Sequence, residues 1–563
     1  MRRALLILGM AAGLAATGAA QAGGLVTACA SDAQTGAGLN LADAVVGGGT
    51  VTFACKAGTT LQITRQHIVD GTLVVDGGGR VTLNAMSYRA MFLVGGDLTL
   101  RGLTLRNPYV TFGTPMGPSG VAVGKGAATV IDSKVTGSVS PFNMEFLTVQ
   151  HSLFENNPSY ALLSAGIAVI EDSDFINSGA ILLRSNRPAG SGRTTVAFIR
   201  NSRFRGYSTA VQWTGRLTVR SSEFHGGRAG LRSGGAIRLH GDGVIEHTLF
   251  EDNAAAAGGA IWLDGGTLSL RRATFRKNFA AGDGGAIGVG DLAEGSIVSR
   301  YSTFTENRAT RGGAIKLAWS GAQIGLRGGP NTFAKNHAKL GGAIYSELGG
   351  IQLTRSVFVG NTADQEGGAI FASRRGRTWA AVLANSLVVR NSAPLGAGIS
   401  GANVTLINST VAQNGGQGIV LQPLSHFAPA GARPELDVRN AVIANNQGGN
   451  CAKPPPGLAV LGNGHNLQFP GSGCGPLTTA DPRLSPLYEP GTDSPALTGG
   501  EVALCAAAPI SARDVYGAHR PQGAACSIGA VEGDVDPRLF RRLIPRLNEL
   551  IRRNFQGLGL AFK

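Results

Sequence analysis

A tetrapeptide repeat constrains the fold of this chain more than any other feature. The sequence Gly-Gly-Ala-Ile begins at residues 234, 258, 284, 312, 341 and 367, and a degenerate copy, Gly-Ala-Gly-Ile, begins at residue 396. Successive copies start 24 to 29 residues apart. A near-constant period in this range indicates one small structural unit stacked on copies of itself. The repetition therefore predicts a solenoid, but it does not predict what the solenoid binds.

A second motif keeps a fixed relation to the first: an aromatic residue followed three positions later by asparagine. Its copies are Phe250/Asn253, Phe275/Asn278, Phe304/Asn307, Phe333/Asn336 and Phe358/Asn361, and the series continues with valine at Val388/Asn391, Val411/Asn414 and Val442/Asn445. Short runs of alternating apolar and polar residues lie between the two motifs, bounded by glycine. This period of two indicates short β-strands.

The repeats predict an all-β fold, a single-stranded right-handed parallel β-helix. Each repeat has room for short strands and none for a helix, so its apolar residues are covered only by neighbouring repeats. Equivalent residues of successive coils lie about 4.8 Å apart. The phenylalanines should therefore stack inside as a ladder, and the asparagines should bond to one another. The glycine pairs suit a corner that needs a positive φ or a close backbone approach.

The N-terminal segment predicts an exported protein, and the rest of the chain divides into four further segments. Arg2 and Arg3, an apolar run and Ala20-Gln21-Ala22 form a secretory signal peptide over residues 1–22. The remaining segments are an N-terminal cap at 23–60, the β-helix at 61–450, a C-terminal capping module at 451–533 and a basic helical tail at 534–563. The expected location is extracellular, at the cell surface or periplasmic.

The six cysteines predict a disulfide framework at both ends of the solenoid. They fall into local pairs, Cys29 with Cys55, Cys451 with Cys474 and Cys505 with Cys526. An oxidising destination favours these three bridges among the possible connectivities. The alternative is a metal site built from four cysteines, which is disfavoured because no Cys-x-x-Cys pair occurs. We therefore expect neither a metal nor another cofactor.

Two parts of the sequence resemble known families. The Gly-Gly-Ala-Ile and Phe-x-x-Asn repeats resemble those of the chlamydial polymorphic outer-membrane proteins, which are secreted β-helical adhesins. The segment from Asp481-Pro482 through Asp514-Val-Tyr-Gly517 to Glu532 resembles the choice-of-anchor Q module, which typically closes a bacterial β-helix. The resemblance implies a surface protein that acts by adhesion.

The tail at 534–563 has the pattern of an amphipathic helix. Apolar residues from Leu539 to Ile551 share one helical face, arginines surround it, and Pro545 interrupts it. One interpretation is a lid packed against the solenoid. Another is a basic helix that contacts an anionic membrane surface. A third is a recognition tail for export or sorting.

The charge of the chain favours anionic partners. A formal net charge of +15 should attract acidic polysaccharide or a cell-surface glycan, without specific nucleic-acid recognition. Alternatively, the protein is simply basic. Arg272 and Arg355 each stand three residues before a ladder position, which places them in a partly basic row along one corner of the coil. We expect a monomer.

A second predicted ligand-binding row follows the repeated isoleucine. With that isoleucine inside, the next residue should point outward, which gives Arg238, Trp262, Gly288, Lys316, Tyr345 and Phe371. Exposed aromatic rings stack on sugars and cations bind their acidic groups. The alternative is that long loops cover these residues.

Catalysis has weaker support in the sequence. His240 and Asp264 lie one coil apart, about 5 Å, and could form a base, although such pairs are more often surface ion pairs. No acidic cluster suits a calcium-dependent lyase. The favoured hypothesis is a non-catalytic β-helix for adhesion or binding of anionic glycans. The alternative is a polysaccharide lyase or glycoside hydrolase acting on an acidic polysaccharide.

Overall fold

The computed structural model describes sixteen stretches of the chain and divides it into two compact units, Met1–Ile167 and Ala168–Lys563. The described residues are 23–86, 91–107, 122–123, 126–137, 142–157, 160–179, 181–185, 195–290, 295–317, 324–346, 349–372, 381–422, 434–452, 459–462, 464–522 and 525–533. The predicted signal peptide and the predicted amphipathic tail lie outside them.

In its described residues, the first unit is a stack of parallel strands with one short helix, Leu41–Ala44. Parallel pairing begins at Gly24–Val26, which pairs with Gly49–Phe53 inside the segment predicted as a cap. The strands are Gly24–Val26, Gly49–Phe53, Thr59–Ile63, His67–Val69, Leu73–Ala85, Phe92–Val94, Leu98–Arg106, Ala122–Val123, Ala127–Ile131, Lys134–Thr136, Phe142–Gln150 and Leu153–Glu155, and Tyr160–Glu171 crosses the unit boundary.

The second unit is a parallel β-helix whose coils contribute to three sheets. We name the first the phenylalanine sheet, because the aromatic motif forms it. Its strands pair in parallel, each with the equivalent strand of the next coil. They are Asp174–Ile176, Arg203–Arg205, Glu223–His225, Leu249–Glu251, Thr274–Arg276, Ser302–Thr305, Asn331–Ala334, Val357–Val359, Leu387–Val389, Thr410–Ala412, Val442–Ala444, Leu467–Phe469 and Thr478–Thr479.

The isoleucine sheet begins at the repeated tetrapeptide. Its strands are Ile181–Ser185, Thr209–Thr214, Ile237–His240, Ile261–Leu263, Ile287–Val289, Ile315–Leu317, Ile344–Ser346, Ile370–Ala372, Ile399–Gly401 and Ile419–Leu421. The third sheet follows it in each coil. Its strands are Val196–Arg200, Arg216–Arg220, Gly243–Glu246, Gly266–Arg271, Gly295–Arg300, Ile324–Gly328, Gly350–Thr354, Ala381–Ala384, Asn403–Ile407, Glu435–Arg439 and Ala459–Gly462.

Two short parallel pairs lie at a corner between the phenylalanine sheet and the isoleucine sheet. They are Ala254–Ala255 with Phe279–Ala280, and His337–Leu340 with Thr362–Glu366. A second helix, Val502–Ala506, lies near the end of the described chain. The β-helix of the second unit is therefore built from short parallel strands, as the repeat period predicts.

The predicted phenylalanine ladder is confirmed. Rings from Phe175 to Phe358 stack along the inside of the phenylalanine sheet, with centroids 4.6 to 5.0 Å apart. Val388 and Val411 continue the same row. The expected position at Val442 is wrong by one residue, because Val411 pairs with Ile443. The asparagine of that coil is accordingly Asn446, whose Oδ1 accepts from the backbone N–H of Asn414.

The asparagines form the predicted hydrogen-bonded row. Nδ2 of Asn278 donates to Oδ1 of Asn307 at 2.9 Å, and the backbone N–H of Asn278 donates to the same oxygen at 3.0 Å.

The two glycines of each pair have different roles. The first glycine takes a positive φ, as at Gly284 with 64°. The second allows a close approach, since a Cβ at Gly285 would overlap the carbonyl oxygen of Gly313. Both properties need glycine.

All three local disulfides are present, joining Cys29 to Cys55, Cys451 to Cys474 and Cys505 to Cys526. The last one does not close the end of the stack. It lies in residues 481–533, the docked segment, which packs on the outer face of the phenylalanine sheet. Residues facing outward from the sheet form one apolar cluster with residues of the docked segment: Ala334, Val359, Leu387, Val389 and Ala412 with Tyr488, Val515, Ala530 and Val531.

Asparagines at the corner between the third sheet and the phenylalanine sheet hold the docked segment in place. Nδ2 of Asn440 donates to the carbonyl oxygen of Glu501 at 3.1 Å, and its Oδ1 accepts from the N–H of Glu501 at 2.9 Å. Asn408 donates to Sγ of Cys505 at 3.1 Å. The docked segment therefore covers this corner at Asn408 and Asn440.

Candidate functional site

The row after the repeated isoleucines is in register but mostly buried. Parallel pairing places Arg238, Trp262, Gly288, Lys316, Tyr345 and Phe371 on successive strands, as predicted. The expectation of an exposed row is wrong for its C-terminal part. The exposed fraction is 0% for Lys316, 6% for Tyr345 and 8% for Phe371, so only Arg238 and the half-buried Trp262 remain open to a ligand.

Polar and aromatic neighbours hold the buried part of this row. Arg311 makes a two-pronged ion pair with Asp283, with both N–O distances at 2.7 Å. Its guanidinium lies 5.5 Å from the centroid of Tyr345, whose ring stacks on Phe371 at 5.2 Å. Nζ of Lys316 lies 3.7 Å from Asp283. Hydrogen bonds to Asp283 raise the pKa of Arg311. These corner residues cover the row, and the alternation of the strand does not predict them.

The predicted catalytic pair is not assembled. Both carboxylate oxygens of Asp264 have other partners: Oδ1 accepts from Nε1 of Trp262 at 2.6 Å, and Oδ2 accepts from Nε of Arg238 at 2.7 Å. Across the described residues no ion pair joins His240 to Asp264. Asp264 therefore orients an arginine and a tryptophan at the open end of the row.

An exposed basic corner lies between the third sheet and the phenylalanine sheet. We call it the arginine corner and define it by four residues, Arg271, Arg272, Arg300 and Tyr301. Arg271 pairs in register with Arg300, and the N–H of Arg272 donates to the carbonyl oxygen of Arg300 at 3.0 Å. All three arginines are exposed. The guanidinium of Arg272 lies 5.9 Å from the ring centroid of Tyr301, which is 54% exposed.

The arginine corner differs from the other basic positions around it. Arg200 pairs with Glu171 at 3.1 Å and Arg220 pairs with Glu246 at 3.0 Å. By contrast, in the part of the chain that the structure describes, no carboxylate lies within 4 Å of the arginines of the corner. Like charges on adjacent strands repel, so this corner is suited to binding an anion.

Arg355 belongs to the same corner but has a different environment. Its φ of 49° matches that of Arg272, 51°, so the two residues occupy equivalent turns. Unlike Arg272, Arg355 is half-buried beside Gly517 of the docked segment. Within the predicted basic row, Arg272 is therefore exposed and Arg355 is partly covered by the docked segment.

The described stretches lack two kinds of site. No group of three or more histidine, cysteine, aspartate or glutamate side chains is placed to hold a metal ion in those stretches. No helix within them is long and apolar enough to cross a membrane.

Stacked parallel coils with an asparagine row and an aromatic ladder define a β-solenoid protein. The family model that matches is the Chlamydia polymorphic membrane protein repeat, over residues 332–347 and 355–373. The described residues in these two ranges contribute strands to the phenylalanine sheet and the isoleucine sheet. No curated protein and no solved structure matches the chain. Repeat and fold together suggest a surface-associated or autotransporter-like protein of the adhesin type, and the three disulfides suggest an oxidising environment.

Proposed function

We propose that this protein is an exported, surface-associated adhesin that binds acidic polysaccharide through the arginine corner. The observation that supports the proposal is the set of three exposed arginines on adjacent coils without a carboxylate partner among the described residues. Two exposed arginines of neighbouring coils, by contrast, are paired with acids of adjacent strands: Arg220 with Glu246 and Arg203 with Asp174. The corner therefore offers its positive charge to an external partner.

The chemistry of the corner fits a chain of acidic sugars. Guanidinium groups bind carboxylate or sulfate through two parallel hydrogen bonds. Arg271 and Arg300 repeat at the strand spacing of about 4.8 Å, which is close to the length of one sugar unit in an extended chain. Tyr301 presents a ring on which a pyranose can stack. Binding that depends on exposed charges should weaken as salt is added.

The test is binding of the full-length protein to polygalacturonate, with and without the corner charges. The double variant Arg272→Gln/Arg300→Gln should bind at least about tenfold more weakly, equivalent to about 1.4 kcal/mol. The matched control is Arg203→Gln/Arg228→Gln, which removes two exposed arginines that are paired with Asp174 and Asp252. We expect this control to bind within about twofold of wild type, because its arginines are already neutralised. Equal losses of affinity in the two double variants would show that binding depends only on the net charge of the protein, which would contradict the proposal.

The same incubation tests cleavage. A purely adhesive protein should release neither unsaturated products nor new reducing ends from the polysaccharide. Product that disappears in His240→Ala would instead favour the lyase or hydrolase hypothesis. This outcome is distinguishable from loss of binding because it is measured on the ligand.

A further inference from the structure

A short hairpin in the docked segment ends against the β-helix corner. Arg513 and His519 form an antiparallel bridge, and the N–H of Asp514 donates to the carbonyl oxygen of Ala518 at 2.9 Å. Oδ1 of Asp514 accepts from the N–H groups of Tyr516 at 3.0 Å and Ala518 at 2.8 Å. These bonds fix the position of Gly517 at the tip.

Two guanidinium groups converge on Gly517 from different parts of the chain. A Cβ on this glycine would lie 2.7 Å from Nη2 of Arg355, and the φ of 96° also favours glycine. In addition, Nη1 of Arg513 donates to the carbonyl oxygen of Gly517 at 3.0 Å. The absent side chain therefore leaves room for the Arg355 guanidinium beside the hairpin that carries Arg513.

No acid neutralises either arginine within the described residues. Asp514, the nearest carboxylate in sequence, is buried and has its oxygens bonded to backbone N–H groups, including that of Glu532 at 3.2 Å. Nε of Arg355 is buried and has no hydrogen-bond partner there. A charged group that is partly removed from water and unpaired is unfavourable unless a counter-ion reaches it.

We propose that Arg355 and Arg513 form a binding site for one oxyanion, a carboxylate, sulfate or phosphate group. The proposal does not rest on polysaccharide binding at the arginine corner. The two sites are nevertheless aligned, since Arg355 follows Tyr301 by two coils along the same corner, a distance of about 10 Å. The oxyanion can therefore come from free phosphate or sulfate, or from an acidic group of a polymer that continues past Tyr301.

The test compares sulfate with chloride at matched ionic strength on the full-length protein. Millimolar sulfate should raise the midpoint of thermal unfolding, because a ligand that binds only the folded state stabilises it. Isothermal titration should give one sulfate site per chain, with at least tenfold weaker binding in Arg355→Gln and in Arg513→Gln. The control is Arg308→Gln, an exposed arginine away from the hairpin, which should respond as wild type does.

Three outcomes decide the proposal and its ligand. Equal midpoints in sulfate and chloride, or the same sulfate response in all four proteins, would overturn it, and ordered water would then satisfy Arg355. If sulfate binds and oligogalacturonate displaces it, the acidic groups of a polymer are the ligand. If sulfate binds and oligogalacturonate does not displace it, the site takes a free inorganic anion. Arg272→Gln/Arg300→Gln should keep the sulfate response, so the two proposals can fail separately.

Discussion

Replacing Phe304 by alanine should lower the free energy of unfolding of the second unit by about 3–5 kcal/mol. The ring is fully buried and lies between Phe275, with centroids 4.9 Å apart, and Phe333, at 4.8 Å. Its removal leaves a cavity in the middle of the ladder, where rigid parallel strands on both sides limit collapse. Chemical denaturation followed by far-ultraviolet circular dichroism would measure the loss.

Phe279 supplies the matched control for this prediction. It lies in the neighbouring corner strand and is 45% exposed, so Phe279→Ala should cost less than about 1 kcal/mol. Trp262→Ala should fall between the two, since the indole is half-buried and donates to Asp264. A cost for Phe279→Ala equal to that for Phe304→Ala would contradict the assignment of inside and outside positions.

The ladders could be predicted because each position depends only on its equivalents one coil away. Phe275, Asn278 and Gly285 each meet a copy of themselves in the next coil, so periodicity alone determines their neighbours. The prediction fails at Val442, where the interval changes and Val442-Ile443-Ala444 contains no aromatic residue to mark the inside position. A ladder position can thus be predicted from the sequence as long as the motif that marks the inward residue of the coil is recognisable.

Coverage of the outer faces could not be predicted from periodicity. Alternation along a strand correctly places Lys316 and Tyr345 on the outer side of the isoleucine sheet. Their burial depends on Asp283 and Arg311, which lie in corner segments outside the strand pattern. A residue can therefore point away from the solenoid core and still be inaccessible to a ligand.

The docked segment did leave a signal in the sequence. Residues flanking the ladder are charged in the early coils, as in Arg203-Phe204-Arg205, and apolar in the later ones, as in Val357-Phe358-Val359 and Leu387-Val388-Val389. A continuously apolar strand is typical of a sheet that is buried on both faces. This change predicts that something covers the later coils, but it does not identify residues 481–533 as the cover.

Arg520→Ala should detach the docked segment from the β-helix and cost about 3–5 kcal/mol. Arg520 is fully buried, and its Nη1 donates to the carbonyl oxygen of Gly529 at 3.0 Å. Its Nε lies 3.3 Å from Oε2 of Glu532, an ion pair without the geometry of a hydrogen bond. Burial raises the pKa values of Asp514 and Glu532, and the charge of Arg520 opposes both shifts.

Without Arg520, both carboxyl groups should bind protons more tightly in the folded state than in the unfolded state. The stability of Arg520→Ala should therefore fall as the pH rises from the unfolded carboxyl pKa values through the folded ones, and its deficit relative to wild type should be smallest in acid. Adding Glu532→Gln should recover part of the loss at neutral pH, because it removes one buried charge. Hydrogen exchange should increase in residues 481–533 while Thr274–Arg276 stays protected. Uniform loss of protection along both segments, or a deficit independent of pH, would show that Arg520 does not act by neutralising these acids.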